Sequence, residues 1–383
     1  MTSSPDLRAA FHDTFNRPAT VAARAPGRLE ILGNHTDYND GVALSLAVDR
    51  ETWFVAAPRP GTVCAVRDLR SGECREFDLK ALANPTPKDW ANYLKGMIVE
   101  LNRRGVTVPA FDAVIQSTIP LSAGMGGSAA LEMAAGLALT QLAGVELPWL
   151  ELAKAGQACE NAYIGARTGL LDQFSSLRGE PGHLVFSDFR SHEVQAVLLP
   201  AAVALVVANC LVKHPHTGEY NERRTRCEEA VAFLQVKHPE ISALRDVSVA
   251  QLETAKPGME VMAWRRARHV VGENGRVFAG IEELRRGDVR AFGRLLDESH
   301  DSSRVYFENS CPELDILVAC GQALPGHLGA RLSGGGFGGI TVHLVREAEA
   351  AAYAERLATA FHSRTGNRPE TMICHAAAGA RRA

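Results

Sequence analysis

A glycine-rich loop near the middle of the chain, STIPLSAGMGGSAALEM, has the residue types of a phosphate-binding site. Five small residues lie directly before a long alanine-rich segment: Ser122, Ala123, Gly124, Gly126 and Gly127. Such a loop brings backbone N–H groups close to a ligand, and the start of a helix adds roughly half a positive charge. We therefore expect a phosphate to bind where the loop meets Ser128. No G-x-x-x-x-G-K-[ST] loop occurs, so nucleotide chemistry here would use a different loop architecture.

Two acidic residues lie among apolar neighbours in the segment ENAYIGARTGLLDQFSS, residues 160–176. Glu160 comes near the end of an amphipathic helical pattern, and Asp172 stands in an otherwise apolar GLLDQF. An acid in such surroundings must find a partner or shift its pKa, which is a frequent condition of catalytic carboxylates. The alternative interpretation of Asp172 is an aspartate that caps a helix.

The segment GRLEILGNHTDYNDG, residues 27–41, concentrates hydrogen-bonding side chains in a chain otherwise rich in alanine and leucine. A second glycine-rich segment, LSGGGFGGITV at 332–342, joins two apolar strands. Its glycines suit a bulge or tight turn, or a backbone that packs closely against a ligand or against the first loop. The residues themselves do not decide between these alternatives.

Strands and helices must position these segments. Branched and alternating residues predict four closely spaced strands, which we expect to pair antiparallel, at 20–26, 41–49, 52–58 and 62–69. Helical spacing of apolar residues predicts helices over 88–104, 128–143 and 148–165. Beyond the strand AVALVVANC, the chain is strongly helical from about 217 to 323 and then returns to strands. A change of composition near 190–200 predicts two domains, residues 1–195 and 196–383.

Composition excludes several functional classes. The chain has 383 residues, 46% of them hydrophobic, and a net charge of -3 with no long run of one sign. Nucleic acid is therefore not an expected partner, because binding to its phosphate backbone usually needs a basic stripe. The N-terminus has no apolar run of signal-peptide length, and no stretch has the length of a membrane span, so we expect a cytoplasmic protein. Eight widely spaced cysteines indicate reduced, mostly buried thiols.

Several motifs, in order and spacing, resemble those of the GHMP small-molecule kinases. They are APGRLEILGNHTDYNDG, IPLSAGMGGSAALE, ENAYIGARTGLLDQFSS and LSGGGFGGI. Within that superfamily the first motif resembles that of the galactokinases, as do GEYNERRTRCEEA, RRARHVVGENGRV and SHDSSRVYFENSCPELD. The resemblance runs from about residue 18 to 375, nearly the whole chain.

The resemblance implies an α+β fold of two domains. The N-terminal domain would be of the ribosomal-protein S5 domain 2 type and the C-terminal domain ferredoxin-like, with the active site in the cleft between them. It also implies transfer of the γ-phosphoryl of MgATP to the anomeric hydroxyl of galactose. Asp172 matches the catalytic aspartate and Arg28 the arginine beside it, while Ser128 and Glu160 match the residues that hold Mg²⁺, which prefers hard oxygen ligands.

The remaining site residues also follow from the resemblance. Those expected to wrap the ATP phosphates are Ser122, Gly124, Gly126, Gly127 and Ser128, with Gly335 and Gly336 of the second loop closing the cleft behind. Those expected to bind the sugar are Asn34, His35, Asp37 and Tyr220. The chain would act on a small-molecule sugar and ATP, without a membrane or nucleic-acid partner, as a monomer or weak homo-oligomer.

Two departures from the family pattern bear on specificity. The usual galactokinase motif reads G-E-H-T-D-Y, whereas this chain has Asn34 in place of the glutamate and Glu30 in place of the usual asparagine. In the galactokinases that the motif resembles, this glutamate binds a sugar hydroxyl near C6, and Asn34 in its place still offers a carbonyl acceptor and an amide donor. In the phosphate loop, GMGGSAAL replaces the common run of three serines, so only Ser128 remains. We expect altered nucleotide affinity rather than lost activity.

These departures leave three functions to compare. The first is a galactokinase. The second is a sugar 1-kinase for another sugar, such as galacturonate, arabinose or an N-acetylated hexosamine, because the loss of a glutamate also removes repulsion toward a C6 carboxylate. Lys213, His214 and His216 would add positive charge near Tyr220, although a solvated loop is the preferred interpretation, and the two histidines lack the further ligands of a zinc site. The third, a non-enzymatic sugar sensor, has no need of the complete catalytic set.

Overall fold

The computed structural model describes residues 6–121, 123–212 and 217–383. Its helices α1 to α11 are Leu7–Phe15, Asn92–Arg103, Gly127–Leu142, Trp149–Ala158, Leu171–Arg178, Thr217–Gln235, Val249–Ala255, Val261–Arg285, Val289–Ser302, Pro312–Gln322 and Ala350–Thr365. Its strands β1 to β12 are Val21–Leu32, Val42–Pro58, Val63–Asp68, Cys74–Asp78, Phe111–Ser117, His183–Asp188, Val194–Leu198, Val203–Asn209, His327–Ser333, Ile340–Arg346, Glu370–Cys374 and Arg381–Arg382. The predicted mixture of helices and strands is confirmed.

The first sheet is built around β2, which runs without interruption for 17 residues. The prediction of separate strands at 41–49 and 52–58 is therefore wrong. The intervening residues contain no glycine or proline that would turn the chain, and the two halves of β2 have different neighbours. Residues 42–45 pair with β6, whereas residues 52–58 pair with β5. β1 pairs with β2 along the other edge.

One predicted pairing also differs. The sheet order is β12-β1-β2-β5-β3-β4, with β6 and β7 attached to the first half of β2. β3 lies parallel to β5 and antiparallel only to β4, so the expected antiparallel pairing of β3 with the preceding strands is wrong. The long connection between β4 and β5 includes α2, and such a crossover is what a parallel neighbour requires.

The second sheet is antiparallel, in the order β11-β8-β10-β9. The largest cluster of buried apolar side chains fills the space between the first sheet and helices α2 and α3, and it continues to β8, β10, α8 and α9. A smaller cluster packs α10 and α11 against the second sheet. One continuous apolar interior therefore holds both sheets in a defined relation to each other.

The predicted boundary after residue 195 falls within β7, the last strand of the first sheet before the chain enters the second sheet at β8. The final strand, β12, returns to pair with β1 of the first sheet. The division into residues 1–195 and 196–383 stays a prediction.

The reduced, mostly buried thiols expected from the sequence agree with the structure. All eight cysteines are free thiols, and six of them are buried. Within the described ranges, no helix combines the length and the apolar character that crossing a membrane requires. Cytoplasmic location and a monomeric or weakly oligomeric state stay predictions.

The fold brings five distant segments to one cleft. They are the end of β1 with the loop that follows it, the glycine-rich loop before α3, the connection from α4 to α5, the first turns of α6, and the β9–β10 loop. Because these segments come from both sheets, the site exists only when the two are packed together.

Candidate active site

Arg28 of β1 and Asp172 of α5 form the centre of the cleft. The Nε and Nη2 of Arg28 both lie 2.8 Å from the same carboxylate oxygen of Asp172, Oδ1. The Nη1 of Arg28 donates to the carbonyl of Gly124 in the glycine-rich loop. The Arg28 side chain is 8% exposed and that of Asp172 is 24% exposed, so the carboxylate reaches the cleft while the guanidinium is held behind it. The sequence prediction placed these two residues side by side, and the structure brings them together.

The glycine-rich loop ends at Gly126, which has a φ of 66°. A Cβ added there would lie 3.1 Å from Cγ of Arg28 and 3.3 Å from Oδ2 of Asp172. The position therefore requires glycine both for its left-handed backbone and for the close approach of the loop to the Arg28–Asp172 pair. Gly127 begins α3, so the N–H groups of its first turn have no partner within the helix and are available to an anion. Ser122, the remaining predicted phosphate ligand, lies outside the described residues.

The two glycine-rich loops pack against each other. A Cβ on Gly334, where φ is 86°, would lie 2.9 Å from the carbonyl oxygen of Gly124, and one on Gly339 would lie 3.2 Å from that of Ala123. Of the alternatives that the sequence left open for the second loop, the structure shows close packing against the first.

Gly335 and Gly336 were both predicted to contact ATP. The structure places Gly335 beside Tyr220 and His35, and it places Gly336 against the backbone of Asn309. Neither residue lines the larger of the two cavities described below. Their contact with ATP stays a prediction.

Ser128 and Glu160, the predicted metal ligands, are bonded to each other. The Ser128 hydroxyl donates to Oε1 of Glu160 at 2.9 Å, and the hydroxyl of Thr168 donates to Oε2 at 2.6 Å. Glu160 lies in the widened π turn Cys159–Ile164 that ends α4, a feature often found at functional sites. Burial raises the pKa of Glu160, and repulsion from Asp172 raises it further.

Ser128 and Glu160 fit a small divalent cation. Both present hard oxygen atoms to the cleft, and a cation there would relieve the repulsion between the carboxylates of Glu160 and Asp172. No group of three or more histidine, cysteine, aspartate or glutamate side chains with metal-ligating geometry occurs among the described residues. The protein would thus supply a partial ligand set, as is usual where phosphate oxygens and water complete the coordination of Mg²⁺.

His35 and Tyr220 form one wall of a smaller cavity. Their ring centroids are 5.0 Å apart, and the ring of His35 also packs 4.3 Å from that of Phe307. Burial lowers the pKa of His35 to about 3, so its ring is neutral near pH 7. Its Nε2 lies 3.2 Å from the carbonyl of Gly335 and its Nδ1 2.8 Å from the hydroxyl of Tyr38. This network assigns the proton to Nε2, with the Tyr38 hydroxyl donating to Nδ1.

Asp37 supplies a carboxylate to the same cavity. Burial first, and then repulsion from the nearby acids Glu30 and Asp172, raise its pKa to about 7 against the opposing hydrogen bonds from the backbone N–H groups of Leu171 and Tyr38. A Cβ on Gly169 would lie 2.1 Å from Oδ2 of Asp37, so that glycine lets the chain pass directly over the carboxylate. Asp37 is therefore poised to exchange its proton near neutral pH or to accept hydrogen bonds from a polar ligand.

Asn34 and Glu30, the two departures from the motif, are bonded to each other. The Nδ2 of Asn34 donates to Oε1 of Glu30 at 2.8 Å, and Nη2 of Arg331 lies 3.1 Å from the same oxygen. Burial raises the pKa of Glu30, against the opposing charges of Arg331 and Arg28. Both residues are buried and lie against the smaller cavity. Sequence reasoning noted Glu30 only as a departure, so Arg331, 301 positions away, is the partner that it missed.

A larger cavity of about 660 Å³ lies on the other side of Asp172. Beside the glycine-rich loop, its walls include Trp90, Tyr93 and Ile119, none of which the sequence analysis identified. The indole N–H of Trp90 donates to Glu73 at 3.0 Å, which fixes the ring at the edge of the cavity. The sequence signal that could have identified this wall is a tryptophan and a tyrosine in the first two turns of the helix predicted at 88–104. Aromatic residues at that spacing, however, more often indicate core packing.

The two cavities meet at shared residues. The smaller cavity, about 270 Å³, holds the polar side chains described above, and the larger holds the glycine-rich loop. Both are lined by Arg28, Tyr93, Ser128 and Asp172. A group bound in one cavity can therefore reach a group bound in the other at the Arg28–Asp172 pair. The arrangement suits transfer of a group between two bound molecules.

Three family models match the chain. The model described as the GHMP kinases N terminal domain matches residues 92–180, and that described as GHMP kinases C terminal matches 281–363. The model described as the galactokinase galactose-binding signature matches residues 9–58. The matched ranges include the polar segment at 27–41, the glycine-rich loop before α3 and the β9–β10 loop.

Similar proteins cover nearly the whole chain. A galactokinase of Chloroflexus aurantiacus is 38% identical over 97% of this chain and 96% of its own length. A galactokinase of a Roseiflexus species is 37% identical over 99% of this chain and 97% of its own. A crystal structure of Lactococcus lactis galactokinase complexed with galactose superposes with a TM-score of 0.93 at 30% identity, covering 98% of each chain. A mevalonate kinase of Methanococcus jannaschii, at 16% identity and a TM-score of 0.66, shares the fold alone.

The fold and the cleft thus define a GHMP kinase, and the two-domain α+β fold implied by the motifs is confirmed. The chain belongs to the galactokinase family. It is a phosphotransferase that uses ATP and acts on a sugar hydroxyl.

Proposed function

We propose that the protein transfers the γ-phosphoryl group of ATP to the anomeric hydroxyl of galactose, giving galactose 1-phosphate and ADP. The observation that carries the proposal is the meeting of two cavities at Arg28 and Asp172, one with the phosphate loop and one with converging polar side chains. The galactokinase signature over residues 9–58 contains the polar segment of the smaller cavity, which supports galactose as the acceptor.

The larger cavity binds ATP in this proposal. The glycine-rich loop and the first N–H groups of α3 hold the phosphates at the end nearest Asp172, and the base lies toward Trp90 and Ile119. Ser128 and Glu160 hold Mg²⁺, which supplies charge neutralisation to the phosphate oxygens when it is bound. The loss of the serine run leaves backbone donors as the main phosphate contacts.

Asp172 acts on the acceptor hydroxyl. Its Oδ1 accepts a hydrogen bond from Nε of Arg28 and lies in ion-pair contact with Nη2, which leaves Oδ2 to hold the anomeric hydroxyl in line with the γ-phosphorus and to accept its proton. The hydroxyl oxygen forms a bond to phosphorus as the bond to the β–γ bridging oxygen breaks, and ADP leaves with that electron pair. Arg28 holds the Asp172 carboxylate in place and stabilises the charge on the transferring group.

The smaller cavity selects the sugar. Asp37, the neutral His35 and Tyr220 surround the space with an acceptor, a polar ring edge and a hydroxyl, which suits the several hydroxyls of a hexose. Among described residues, no cationic side chain other than Arg28 lines this cavity, and Arg28 is already paired. The cavity therefore favours a neutral sugar over a uronate. Lys213, His214 and His216, which the sequence analysis considered as a source of positive charge, lie outside the described residues.

Initial rates of ADP release with MgATP test the proposal. The sugars are galactose, glucose, galacturonate, arabinose, N-acetylgalactosamine and 2-deoxygalactose, with the Asp172→Asn variant as the control for background hydrolysis. We expect galactose to give the highest kcat/KM by about tenfold or more, a margin that a site built around specific hydroxyls can supply. A higher value for another sugar would reassign the acceptor. If the wild-type protein released ADP no faster than Asp172→Asn with every sugar, the proposed kinase activity would be wrong and only sugar binding would remain as a function of the cleft.

A further inference from the structure

Asn34 has no hydrogen-bonding capacity left for a substrate. Its Nδ2 donates to Oε1 of Glu30 at 2.8 Å and to the carbonyl of Gly334 at 3.0 Å. Its Oδ1 accepts from Nδ2 of Asn309 at 3.0 Å and from the hydroxyl of Ser303 at 3.4 Å. An amide has two N–H donors and a carbonyl oxygen with two lone pairs, and all four are engaged by the protein. The residue is also fully buried.

The orientation of the Asn34 amide follows from its neighbours. Turning the amide over would place its carbonyl oxygen against the Glu30 carboxylate and the Gly334 carbonyl, which are both acceptors. It would also set its NH₂ group against the NH₂ group of Asn309. Only the orientation described satisfies all four partners.

Glu30, unlike Asn34, keeps a hydrogen-bonding atom available to a ligand. Both Asn34 and Arg331 bond to Oε1 of its carboxylate. Within the described part of the chain, no donor bonds to Oε2, and Glu30 lines the smaller cavity. The Arg331 guanidinium is completely buried, and it fixes the carboxylate plane from behind. The carboxylate therefore has one oxygen committed to the protein and one available to a ligand.

We propose that Glu30 is the specificity-determining residue that accepts a sugar hydroxyl through Oε2, and that Asn34 is a positioning residue that holds its carboxylate. This inference rests on the proposed function of the cleft as a sugar kinase. The acid and the amide have exchanged positions along the chain relative to the common motif, and the structure places the acid where it still faces the cavity. Glu30 and Asp37 then present two carboxylates to one sugar, so the site takes a neutral hexose and rejects a uronate.

Glu30→Gln is the sharpest test, because it changes one atom. The carbonyl oxygen of the glutamine can keep the bonds from Asn34 and Arg331, while an NH₂ donor replaces the Oε2 acceptor. We expect the KM for galactose to rise about tenfold or more, as for the loss of a hydrogen bond to a charged group, with the KM for MgATP unchanged within about twofold. A thermal unfolding midpoint close to that of the wild-type protein would show that the variant is folded.

Monodeoxy sugars distinguish a direct contact from a structural effect. Galactose lacking the hydroxyl at C2, C3, C4 or C6 is compared with galactose in the wild-type protein and in Glu30→Gln. One of these hydroxyls donates its hydrogen bond to Glu30. Its removal from the sugar is expected to lower kcat/KM about tenfold in the wild-type protein but less than about threefold in Glu30→Gln, because the variant has already lost the acceptor. Equal losses for every deoxy sugar in both proteins would overturn the contact. So would an unchanged galactose KM in Glu30→Gln.

An exchanged pair tests the role of Asn34. Glu30→Asn and Asn34→Glu are each expected to raise the galactose KM about tenfold or more, whereas the double variant that carries both is expected to recover to within about threefold of the wild-type protein. Non-additivity of that size is the mark of two residues that act as a unit. A double variant no better than the worse single variant would overturn the positioning role.

The proposed function and this inference can fail separately. Absence of galactose turnover by the wild-type protein would overturn the proposed function, and calorimetric titration of the wild-type protein and Glu30→Gln with the same sugars would then decide the contact alone. Absence of galactose binding by the wild-type protein would overturn both. Wild-type turnover with an unaffected Glu30→Gln would overturn only the role of Glu30.

Discussion

The Nε of Arg28 donates to Oδ1 of Asp172 at 2.8 Å, and Nη2 of Arg28 lies 2.8 Å from the same oxygen as an ion-pair contact. A fork of two N–H groups more often engages both oxygens of a carboxylate. The one-sided arrangement keeps Asp172 in place and leaves Oδ2 open to the cleft, next to Gly126. Positioning of the carboxylate and its use on a ligand are thus divided between its two oxygens.

Removal of the charge on Asp172 tests that division. In Asp172→Asn we expect kcat to fall about 10²- to 10⁴-fold, the usual contribution of a general base, with the galactose KM within about threefold of the wild-type value. ADP release measures the effect. Asp301→Asn, at an exposed aspartate paired with Arg304 and lining neither cavity, is the matched control and should keep full activity. Retention of more than a tenth of kcat in Asp172→Asn would contradict the role.

Gly126 and its neighbour Gly127 provide a matched pair of substitutions. Gly126→Ala places a Cβ 3.1 Å from Arg28 at a φ of 66°, whereas a Cβ at Gly127 has only an ordinary contact, 3.8 Å from Ile119. We expect Gly126→Ala to lower the free energy of unfolding by about 1 to 2 kcal/mol and to reduce kcat at least about tenfold. Gly127→Ala should change each by much less. Denaturant titration and initial rates measure both, and equal effects of the two substitutions would contradict the prediction.

The raised pKa of Asp37 predicts a pH dependence of stability in the ligand-free protein. Its pKa is about 7 in the folded state against an ordinary value of 3.8, so the folded state binds this proton more tightly than the unfolded state does. The resulting stabilisation is fully present below pH 3.8 and is lost as the pH rises through about 7. The difference in unfolding free energy between the wild-type protein and Asp37→Asn should therefore decline across that range and become constant above about pH 8.

Three buried histidines make the difference measurement necessary. Burial lowers the pKa of His35, His269 and His343 to about 3, so all three contribute stability above pH 6.5 that is lost as the pH falls toward 3. Their effect opposes that of Asp37 in the same range, but it is present in both proteins and cancels when the two unfolding curves are subtracted. A difference that does not vary between pH 4 and 7 would contradict the assignment to Asp37.

The Ser128–Glu160 pair predicts a dependence on Mg²⁺ concentration. Ser128→Ala removes a hard oxygen ligand, and Glu160→Gln removes the negative charge of the other ligand, so for each we expect the Mg²⁺ concentration for half-maximal rate at fixed ATP to rise about tenfold or more. Ser128→Thr keeps the hydroxyl and is the matched control, with an expected change below about threefold. A titration with MgCl₂ measures the three variants. Identical Mg²⁺ dependence of Ser128→Ala and the wild-type protein would remove Ser128 from the site.

Chemistry and local structure follow from short stretches of the chain. The glycines before Ser128 need a left-handed backbone and a helix start, and Asp172 among apolar residues needs a charged partner, whatever surrounds them. The motifs that contain Arg28, Asp37 and Glu160 could therefore be found by sequence alone. So could most helices and strands, because their periodicity is local. The continuous course of β2 was missed, since its two halves differ only in the neighbours that pair with them.

Contacts between distant residues were decided by the tertiary structure. Whether Asn34 binds a substrate depends on whether its amide is already used, and the donors and acceptors that use it come from Gly334, Asn309 and Ser303, at least 269 positions away. The same holds for Arg331 behind Glu30, and for Trp90, whose place in the larger cavity depends on how α2 packs beside α3. The sequence by itself determined which groups can do the chemistry. The packing of the two sheets decided which of them keep an atom free for a ligand, because a hydrogen bond made within the protein is lost to any other partner.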